Sequence, residues 1–201
     1  MVNKKVDFGV KGVAGDGIGG YGSAQLADMT LRPNGTAALI RTVHGLGIFE
    51  LHPNPKLDVY FYYGAEYAWR AAYQGYQIAS ATTAGGVTTV TSANNRIGGY
   101  GSPFASNQGC STENPPSGPF TPSSGGTCNG DIRIIQEGTL GFWHKFYQGP
   151  KGGLRWGLQY SYITKSGWSG NNLPTGIGTG VGVAPKAVDN MFWTSFRYYI
   201  P

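Results

Sequence analysis

Apolar and polar residues alternate over long stretches of this chain, most clearly between residues 132 and 165. In the second half of that stretch, every second residue is a large apolar one, namely Leu154, Trp156, Leu158, Tyr160 and Tyr162. Polar residues or glycine fill the positions between them, and Ile163 is the one exception. A period of two is typical of a β-strand with two unlike faces. The turn-forming run at 148–153 separates the two halves, so the stretch predicts one long β-hairpin.

The same alternation predicts six strands, at about residues 4–14, 38–51, 57–73, 132–147, 154–165 and 187–201. In the second of these, Ile40, Leu46 and Ile48 are expected to share a face, although Glu50 interrupts the pattern. Ordinary strands have about 5–6 residues, whereas a strand that crosses a membrane needs roughly 9–11. The pattern therefore favours an all-β fold, a long antiparallel up-and-down meander of about 6–8 strands that forms an outer-membrane β-barrel or part of one.

The connections between these strands alternate in length. Residues 52–56 and 148–153 form short turns, whereas residues 74–130 and 169–186 form long polar loops. Outer-membrane barrels have short periplasmic turns and longer outer loops. We therefore treat residues 1–201 as a single barrel-type domain with outer loops at 74–130 and 169–186. Residues 86–93 are expected to form an extra hairpin outside the main sheet, and residues 18–36 and 76–101 are candidates for hidden strands.

Composition is compatible with a membrane protein but does not require one. Charged residues make up 12% of the chain, against about 25% in soluble domains, and no stretch has the 18 apolar residues of a transmembrane helix. A glycine-rich soluble β-sandwich has similar averages. The net charge is +5, and the basic residues are spread singly, which argues against nucleic-acid binding and favours a preference for anions. The N-terminal residues have no apolar core, so no signal peptide is expected, and the chain is interpreted as a processed form, an engineered chain or a fragment.

The two cysteines, Cys110 and Cys128, lie in a stretch rich in Pro, Gly and Ser. An even pair in a polar loop predicts a disulfide and an oxidising compartment. Two free thiols or half of a metal site are the alternatives, and the second is disfavoured because no histidine lies nearby.

Candidate catalytic and metal-binding motifs are weak. The three histidines, His44, His52 and His144, fall on separate elements without a metal-binding motif. No Gly-x-Ser-x-Gly nucleophile motif occurs, and the glycine-rich run 17–22 lacks the Lys-Ser/Thr that a phosphate-binding loop requires. We therefore predict a non-enzymatic protein with no catalytic residues, no metal and no cofactor.

The alternating faces assign most charged and apolar side chains to opposite sides of the sheet. In a barrel, the polar faces would line the lumen, and the residues predicted there are Arg41, Glu66, Arg70, Arg133, Glu137, Lys145, Arg155, Lys165, Asp189 and Arg197. The apolar faces would meet lipid, and the residues predicted there are Leu57, Val59, Phe61, Leu140, Phe142, Leu154, Trp156, Leu158, Tyr160, Phe192, Phe196, Tyr198 and Ile200. A solvated sheet face is the alternative for the charged set, and a sandwich core or a sugar-stacking platform for the aromatic residues.

Several short motifs also carry a family resemblance: Leu31–Thr36, His52–Tyr60, Gly99–Pro103, Glu137–Trp143, Leu158–Tyr162, Asp189–Phe192 and Tyr198–Pro201. With them the chain resembles the C-terminal part of large porin-like outer-membrane β-barrel proteins of acidobacterial type. The last residue departs from the aromatic ending of such proteins, because it is Pro201. The chain is also much shorter, and six strands are too few for a closed barrel, since small natural barrels start at about eight.

These observations lead to three functional hypotheses. The first is a porin-like protein of the bacterial outer membrane that allows passive diffusion of small polar or anionic solutes, contacts lipid, and forms homo-oligomers if several copies build one barrel. The second is a structural protein whose strands pair between chains into a fibre, tube or multi-chain barrel. The third is a secreted β-sandwich that binds glycans through its aromatic residues.

Overall fold

The computed structural model describes residues 5–107, 110, 128, 130–171, 182 and 184–200. Much of the two predicted outer loops, together with Pro201, lies outside these residues. Within the described residues the chain forms ten strands and one 3-10 turn, at Gly19–Tyr21. The strands are β1 (Val6–Asp16), β2 (Met29–Leu31), β3 (Ala37–Leu39), β4 (Arg41–Asn54), β5 (Leu57–Ala68), β6 (Ala71–Ala84), β7 (Val87–Tyr100), β8 (Ile132–Gly149), β9 (Gly152–Gly167) and β10 (Lys186–Tyr199).

Six of these strands form one antiparallel sheet in the order β1-β4-β5-β8-β9-β10. Each strand pairs with the one that follows it within this set, so the all-β antiparallel meander predicted from the sequence is confirmed. The sheet does not close on itself, because β1 and β10 are its two edges. Its strands have 11–18 residues, well above the usual length.

The predicted hidden strands exist but do not enlarge this sheet. β2 and β3 pair with each other in one two-stranded sheet, and β6 and β7 form another. The β6–β7 hairpin turns at Gly85 and Gly86, whose positive φ angles of 61° and 79° suit glycine. An extra hairpin outside the main sheet is present, but it spans Ala71–Tyr100, and the predicted residues 86–93 form only part of its second strand. An eight-stranded sheet that includes these segments is not formed. The third predicted strand also ends earlier than expected, at Ala68 rather than residue 73.

The short connections lie at one end of the main sheet and the long ones at the other. The β4–β5 turn spans residues 54–57 and the β8–β9 turn spans residues 149–152, where Gly152 has a φ of +105°. The connections β1–β4, β5–β8 and β9–β10 all leave from the opposite end. We call these the turn end and the loop end.

The pairing register divides the sheet into an apolar face and a polar face, because directly opposed residues point to the same side. One row of the apolar face contains Phe8, Phe49, Phe61, Leu140, Tyr160 and Phe192. The neighbouring row of the polar face contains Glu50, Tyr60, Gly141, Gln159 and Trp193. Side chains from five strands enclose one cavity on the polar face, so the sheet curls around that side.

In a water-soluble sheet, the apolar face is buried and the polar face is exposed. In this sheet, the apolar face is the more exposed one. On the apolar face, Phe8 is 76% exposed, Leu140 55% and Phe196 71%. On the polar face, Thr42 and Ser161 are 0% exposed. Among the described residues of the sheet, the large apolar residues that are exposed on the polar face are Val13, Trp193 and Tyr199. All three lie on the edge strands, β1 and β10.

Leu46 and Ile48 of β4 share a face, as the sequence predicts, and that face is the polar one. Leu46 pairs with Gly64 and Ile48 with Tyr62, which places both on the polar face together with Glu50. The apolar face of β4 is instead formed by Val43, Gly45, Gly47, Phe49 and Leu51. Ile40 precedes the strand and is fully buried. Two glycines, Gly45 and Gly47, occupy the apolar face of this strand, so in the sequence the side with Leu46 and Ile48 looks more hydrophobic.

A small apolar core closes the loop end of the molecule. It consists of Leu26, Ile40, Ala68 and Tyr100, and Ile132 and Trp168 pack against it. The hydroxyl of Tyr100 donates a hydrogen bond to the carbonyl oxygen of Ile132 at 2.5 Å, which ties the end of β7 to the start of β8. This core holds the β1–β4 connection against the end of the sheet.

Candidate functional site

The polar face contains two cavities, one beside the other. The main cavity has a volume of about 750 Å³ and lies toward the loop end, between β1, β4, β5, β8, β9 and residues 21–24. The second, which we call the arginine pocket, has a volume of about 320 Å³ and lies toward the turn end. Its polar and aromatic walls are formed by Glu50, Asp58, Tyr60, Tyr62, Trp143, Arg155, Gln159 and Arg197. Both fall in the range of small-molecule sites, which starts at about 300 Å³.

Glu66 on β5 holds a segment of the β1–β4 connection inside the main cavity. Its carboxylate accepts hydrogen bonds from the backbone amides of Ser23 at 2.6 Å and Ala24 at 3.2 Å. The Nδ1 atom of His44 lies 3.2 Å from the same carboxylate, and both side chains are nearly buried. Gly22 passes so close to Glu66 and His44 that a Cβ atom there would overlap with them. Residues 22–24 are therefore fixed against the polar face and narrow the cavity.

A series of hydrogen bonds runs across β5, β8 and β9 between the two cavities. The Tyr60 hydroxyl donates to Oε1 of Gln159 at 3.0 Å, and Nε2 of Gln159 donates to Oγ of Ser161 at 3.1 Å. The hydroxyls of Ser161 and Thr139 are hydrogen-bonded at 2.8 Å. Because these polar groups satisfy one another, the polar face is a packed and ordered surface.

Two aromatic rings lie flat on this surface by passing over glycines of the neighbouring strand. Tyr60 of β5 covers Gly141 of β8, and Trp143 of β8 covers Gly157 of β9. A Cβ atom on Gly157 would lie 2.7 Å from the Trp143 ring, so no larger residue fits without movement. Each ring thereby reaches the second strand along, where Tyr60 meets Gln159 and Trp143 meets Arg197.

Acidic groups are concentrated on the β1, β4 and β5 side of the turn end. Asp58 accepts hydrogen bonds from Lys145 at 2.9 Å and lies 2.8 Å from Nδ1 of His52. The Nε2 atom of His52 lies 3.2 Å from Asp7 and 3.9 Å from Glu50. We call this set the His52 cluster. All three carboxylates lie within ion-pair distance of His52, and Asp58 also binds Lys145.

Asp7, Glu50 and His52 also bring three possible metal-binding atoms within 4.8 Å of one another. The sequence did not predict this grouping, because it arises from the pairing of Asp7 with Glu50 across β1 and β4. The ion pairs of the cluster account for the arrangement, and we assign no metal to it.

Arginines are concentrated on the opposite side of the turn end. The guanidinium carbon of Arg155 lies 4.7 Å from the centre of the Trp143 ring and 4.4 Å from that of Tyr199. The guanidinium of Arg197 lies 4.5 Å from the Trp143 ring. The polar face is thus divided into an acidic side and a basic side across the arginine pocket.

Only some of the predicted lumen-facing residues lie together on the polar face. Those on the polar face are Glu66, Glu137, Lys145, Arg155, Lys165, Asp189 and Arg197. Arg41 is on the opposite face, because its neighbour Thr42 points to the polar side, and it forms an exposed ion pair with Asp16 at 2.8 Å. Arg70 and Arg133 lie at the loop end, where both guanidiniums stack over Trp168.

The predicted lipid-facing residues of the strands all share the apolar face. They are Leu57, Val59, Phe61, Leu140, Phe142, Leu154, Trp156, Leu158, Tyr160, Phe192, Phe196 and Tyr198. Ile200 follows β10 and is 84% exposed. Cys110 and Cys128 are bonded to each other, as the sequence predicts.

The described part of the chain contains no helix that is long and apolar enough to cross a membrane. No family model, no curated protein and no solved structure matches the chain. The function must therefore be argued from the geometry alone.

Proposed function

We propose that this chain forms the wall of a porin-like outer-membrane β-barrel that allows passive diffusion of small polar or anionic solutes. The observation that carries the proposal is the exposure of the apolar face on all six strands of the main sheet. That face would lie against lipid tails, and the polar face, with its two cavities, would line the solute path.

The exposed apolar face is costly in water. Burying apolar surface is worth about 25 cal/mol per Å², and soluble monomers rarely expose patches larger than a few hundred Å². No described element packs against this face, because the two small sheets lie in the connections at the loop end. This weighs against the glycan-binding sandwich, since a sandwich would cover the apolar face with a second sheet. A lipid environment removes the cost.

Strand length supports the same proposal. The six strands have 11–18 residues, and a tilted strand needs roughly 9–11 to cross the hydrocarbon core. The outward aromatic residues near the strand ends, such as Tyr198 and Trp156, suit the interfacial positions that these side chains prefer in membranes.

The unpaired edges β1 and β10 require further strands in a membrane. Backbone amides and carbonyls cannot remain unpaired in lipid, and closed membrane barrels start at about eight strands. β1 runs from the turn end to the loop end and β10 runs back. A copy of β1 can therefore pair antiparallel with β10 of a second copy and continue the meander.

A fibre or tube of paired chains is the second candidate, and the same two edges favour it. The apolar residues of the edge strands are among the most exposed, with Phe8 at 76% and Phe192 at 69%. Negative-stain imaging and light scattering in detergent-free buffer separate the two proposals. Filaments support the structural protein, whereas a protein that stays dispersed only in detergent or lipid supports the membrane barrel.

Conductance in lipid tests the pore directly. The protein is refolded into liposomes, its insertion is checked by flotation and resistance to protease, and single-channel currents are recorded. We expect discrete conductance steps. Well-inserted protein without any conductance would contradict the pore.

A pair of variants tests whether residues 22–24 narrow the path. Glu66→Ala removes the acceptor of the Ser23 and Ala24 amides and should increase the conductance. Glu137→Ala changes a carboxylate in the same cavity whose hydrogen bond, from Thr139 at 3.0 Å, holds no loop. It should change the conductance less, and equal effects of the two variants would contradict the role of Glu66.

A further inference from the structure

Arg155 and Arg197 have no anionic partner among the residues that the structure describes. In the described residues, every ion pair involves other groups, and neither guanidinium donates a hydrogen bond. The Nε atom of Arg155 is moreover buried and lacks a hydrogen-bond acceptor. A buried donor of a charged group without an acceptor is unfavourable, and native proteins seldom leave one without a reason.

The stacking of these arginines holds their donors in place. Arg155 lies between Trp143 and Tyr199, and Arg197 lies over Trp143. Cation–π contacts use the flat face of a guanidinium and leave its N–H edge free to bind. Trp143 is itself fixed by its position over Gly157. The two guanidiniums are therefore arranged before any ligand arrives.

The acidic residues of the pocket do not satisfy these arginines. Asp58 is bound by Lys145 and His52, and Glu50 accepts a hydrogen bond from the Tyr62 hydroxyl and lies 3.9 Å from Nε2 of His52. Both carboxylates belong to the β4–β5 side of the pocket, whereas the arginines belong to β9 and β10. The basic side of the arginine pocket is thus left with uncompensated positive charge.

We infer that the arginine pocket is a binding site for a small oxyanion, a carboxylate or a phosphate, held by the N–H edges of Arg155 and Arg197. Guanidinium groups bind both anions through paired N–H···O hydrogen bonds. The inference rests on the proposed function in that it names the solute class that the pore would favour. The stacked arginines argue against a sugar bound face-on to Trp143, because they lie over the ring that such a sugar would contact.

Isothermal titration calorimetry on the folded protein in a non-ionic detergent tests the site at low ionic strength. Inorganic phosphate and acetate are the two probes, and sodium chloride at matched ionic strength is the reference. We expect saturable binding of at least one probe. Arg155→Gln and Arg197→Gln should each weaken it roughly tenfold to hundredfold, which corresponds to the loss of hydrogen bonds to a charged group. Phosphate without acetate binding would identify a phosphate site, and the reverse a carboxylate site.

Arg70→Gln is the matched control, because Arg70 also stacks over a tryptophan, at 4.7 Å from the Trp168 ring, but lies outside the pocket. It should leave the affinity unchanged. Arg197 is exposed, so its variant should keep the native far-ultraviolet circular dichroism spectrum even if Arg155→Gln disturbs the fold. Absence of saturable binding in the folded wild type, or equal weakening by Arg70→Gln, would overturn the site.

The outcome is independent of the pore experiment. Binding in detergent without conductance in lipid would retain the oxyanion site and reject the pore. Conductance without binding would retain the pore and reject the site.

Discussion

The two faces of the main sheet are formed by the same six strands but differ in which side chains they bury and which they expose. The apolar face exposes large side chains such as Phe8 and Phe196, and no described element covers it. The polar face buries Thr42 and Ser161, and hydrogen bonds link Ser161 to Thr139 and Gln159 on that face. The ordered interior of this molecule is therefore on its polar side, and the lipid of the proposed barrel would cover its apolar side.

A charge on the apolar face should have the largest effect. Leu140 lies near the middle of β8, between Phe61 and Tyr160 on the neighbouring strands. If this face meets lipid, Leu140→Arg should lower the free energy of unfolding in lipid by about 2–4 kcal/mol, the cost of an arginine at the bilayer midplane. Reversible denaturant titration in liposomes measures it.

Val87→Arg provides the control, because Val87 is also apolar and 67% exposed but belongs to the β6–β7 hairpin outside the main sheet. Its effect should stay within about 0.5 kcal/mol, as for ordinary surface positions. Equal costs for the two arginines would mean that the apolar face is not in lipid.

The sequence was sufficient to assign the faces where large apolar residues mark one side of a strand without interruption. This holds for β5, β9 and β10, where residues such as Phe61, Leu158 and Phe196 fix the register. It is not sufficient for β4, because Gly45 and Gly47 carry no side chain on the apolar face while Leu46 and Ile48 lie on the polar face. The alternation of apolar and polar residues is recognised from their side chains. Glycines on the apolar face therefore leave no apolar pattern to recognise.

The candidate site was less predictable than the fold. The charged residues of the polar face could be named, but their partners depend on contacts between distant parts of the chain. Glu66 binds the amides of Ser23 and Ala24, which precede it by 43 and 42 positions in the chain. Trp143 reaches Arg197 only because it lies flat over Gly157. No local pattern encodes such contacts. The glycines that lie opposite aromatic residues were the one feature of the sequence that could have indicated these contacts. They can be recognised as such only once the strand register is known.

Two glycines of β8 test the packing difference between the faces. Gly141 lies under the Tyr60 ring on the polar face, whereas Gly138, on the apolar face, has open space where a Cβ atom would be. Gly141→Ala should destabilise the protein by about 1–3 kcal/mol, the usual cost of overpacking. Gly138→Ala should be neutral or slightly stabilising, because alanine restricts the unfolded chain. Denaturant titration of both variants checks this, and a larger loss for Gly138→Ala would contradict the asymmetry of packing.

The smallest expected effect concerns Asp131, where the polar face ends at the loop end. Burial raises the pKa of the Asp131 carboxyl, although the Gly101 amide, which donates a hydrogen bond to it at 2.6 Å, offsets part of that shift. Because the folded state then binds the proton more tightly than the unfolded state, this group stabilises the fold fully below the ordinary carboxyl range and less as the pH rises through its raised pKa. Asp131→Asn keeps an oxygen that can accept the Gly101 hydrogen bond but cannot ionise. The variant should therefore gain stability relative to the wild type as the pH increases, measured by denaturant titration from acidic to neutral pH. A difference that shrinks over the same range would mean that the charged carboxylate of Asp131 is stabilised in the folded state, contrary to the direction expected from its burial.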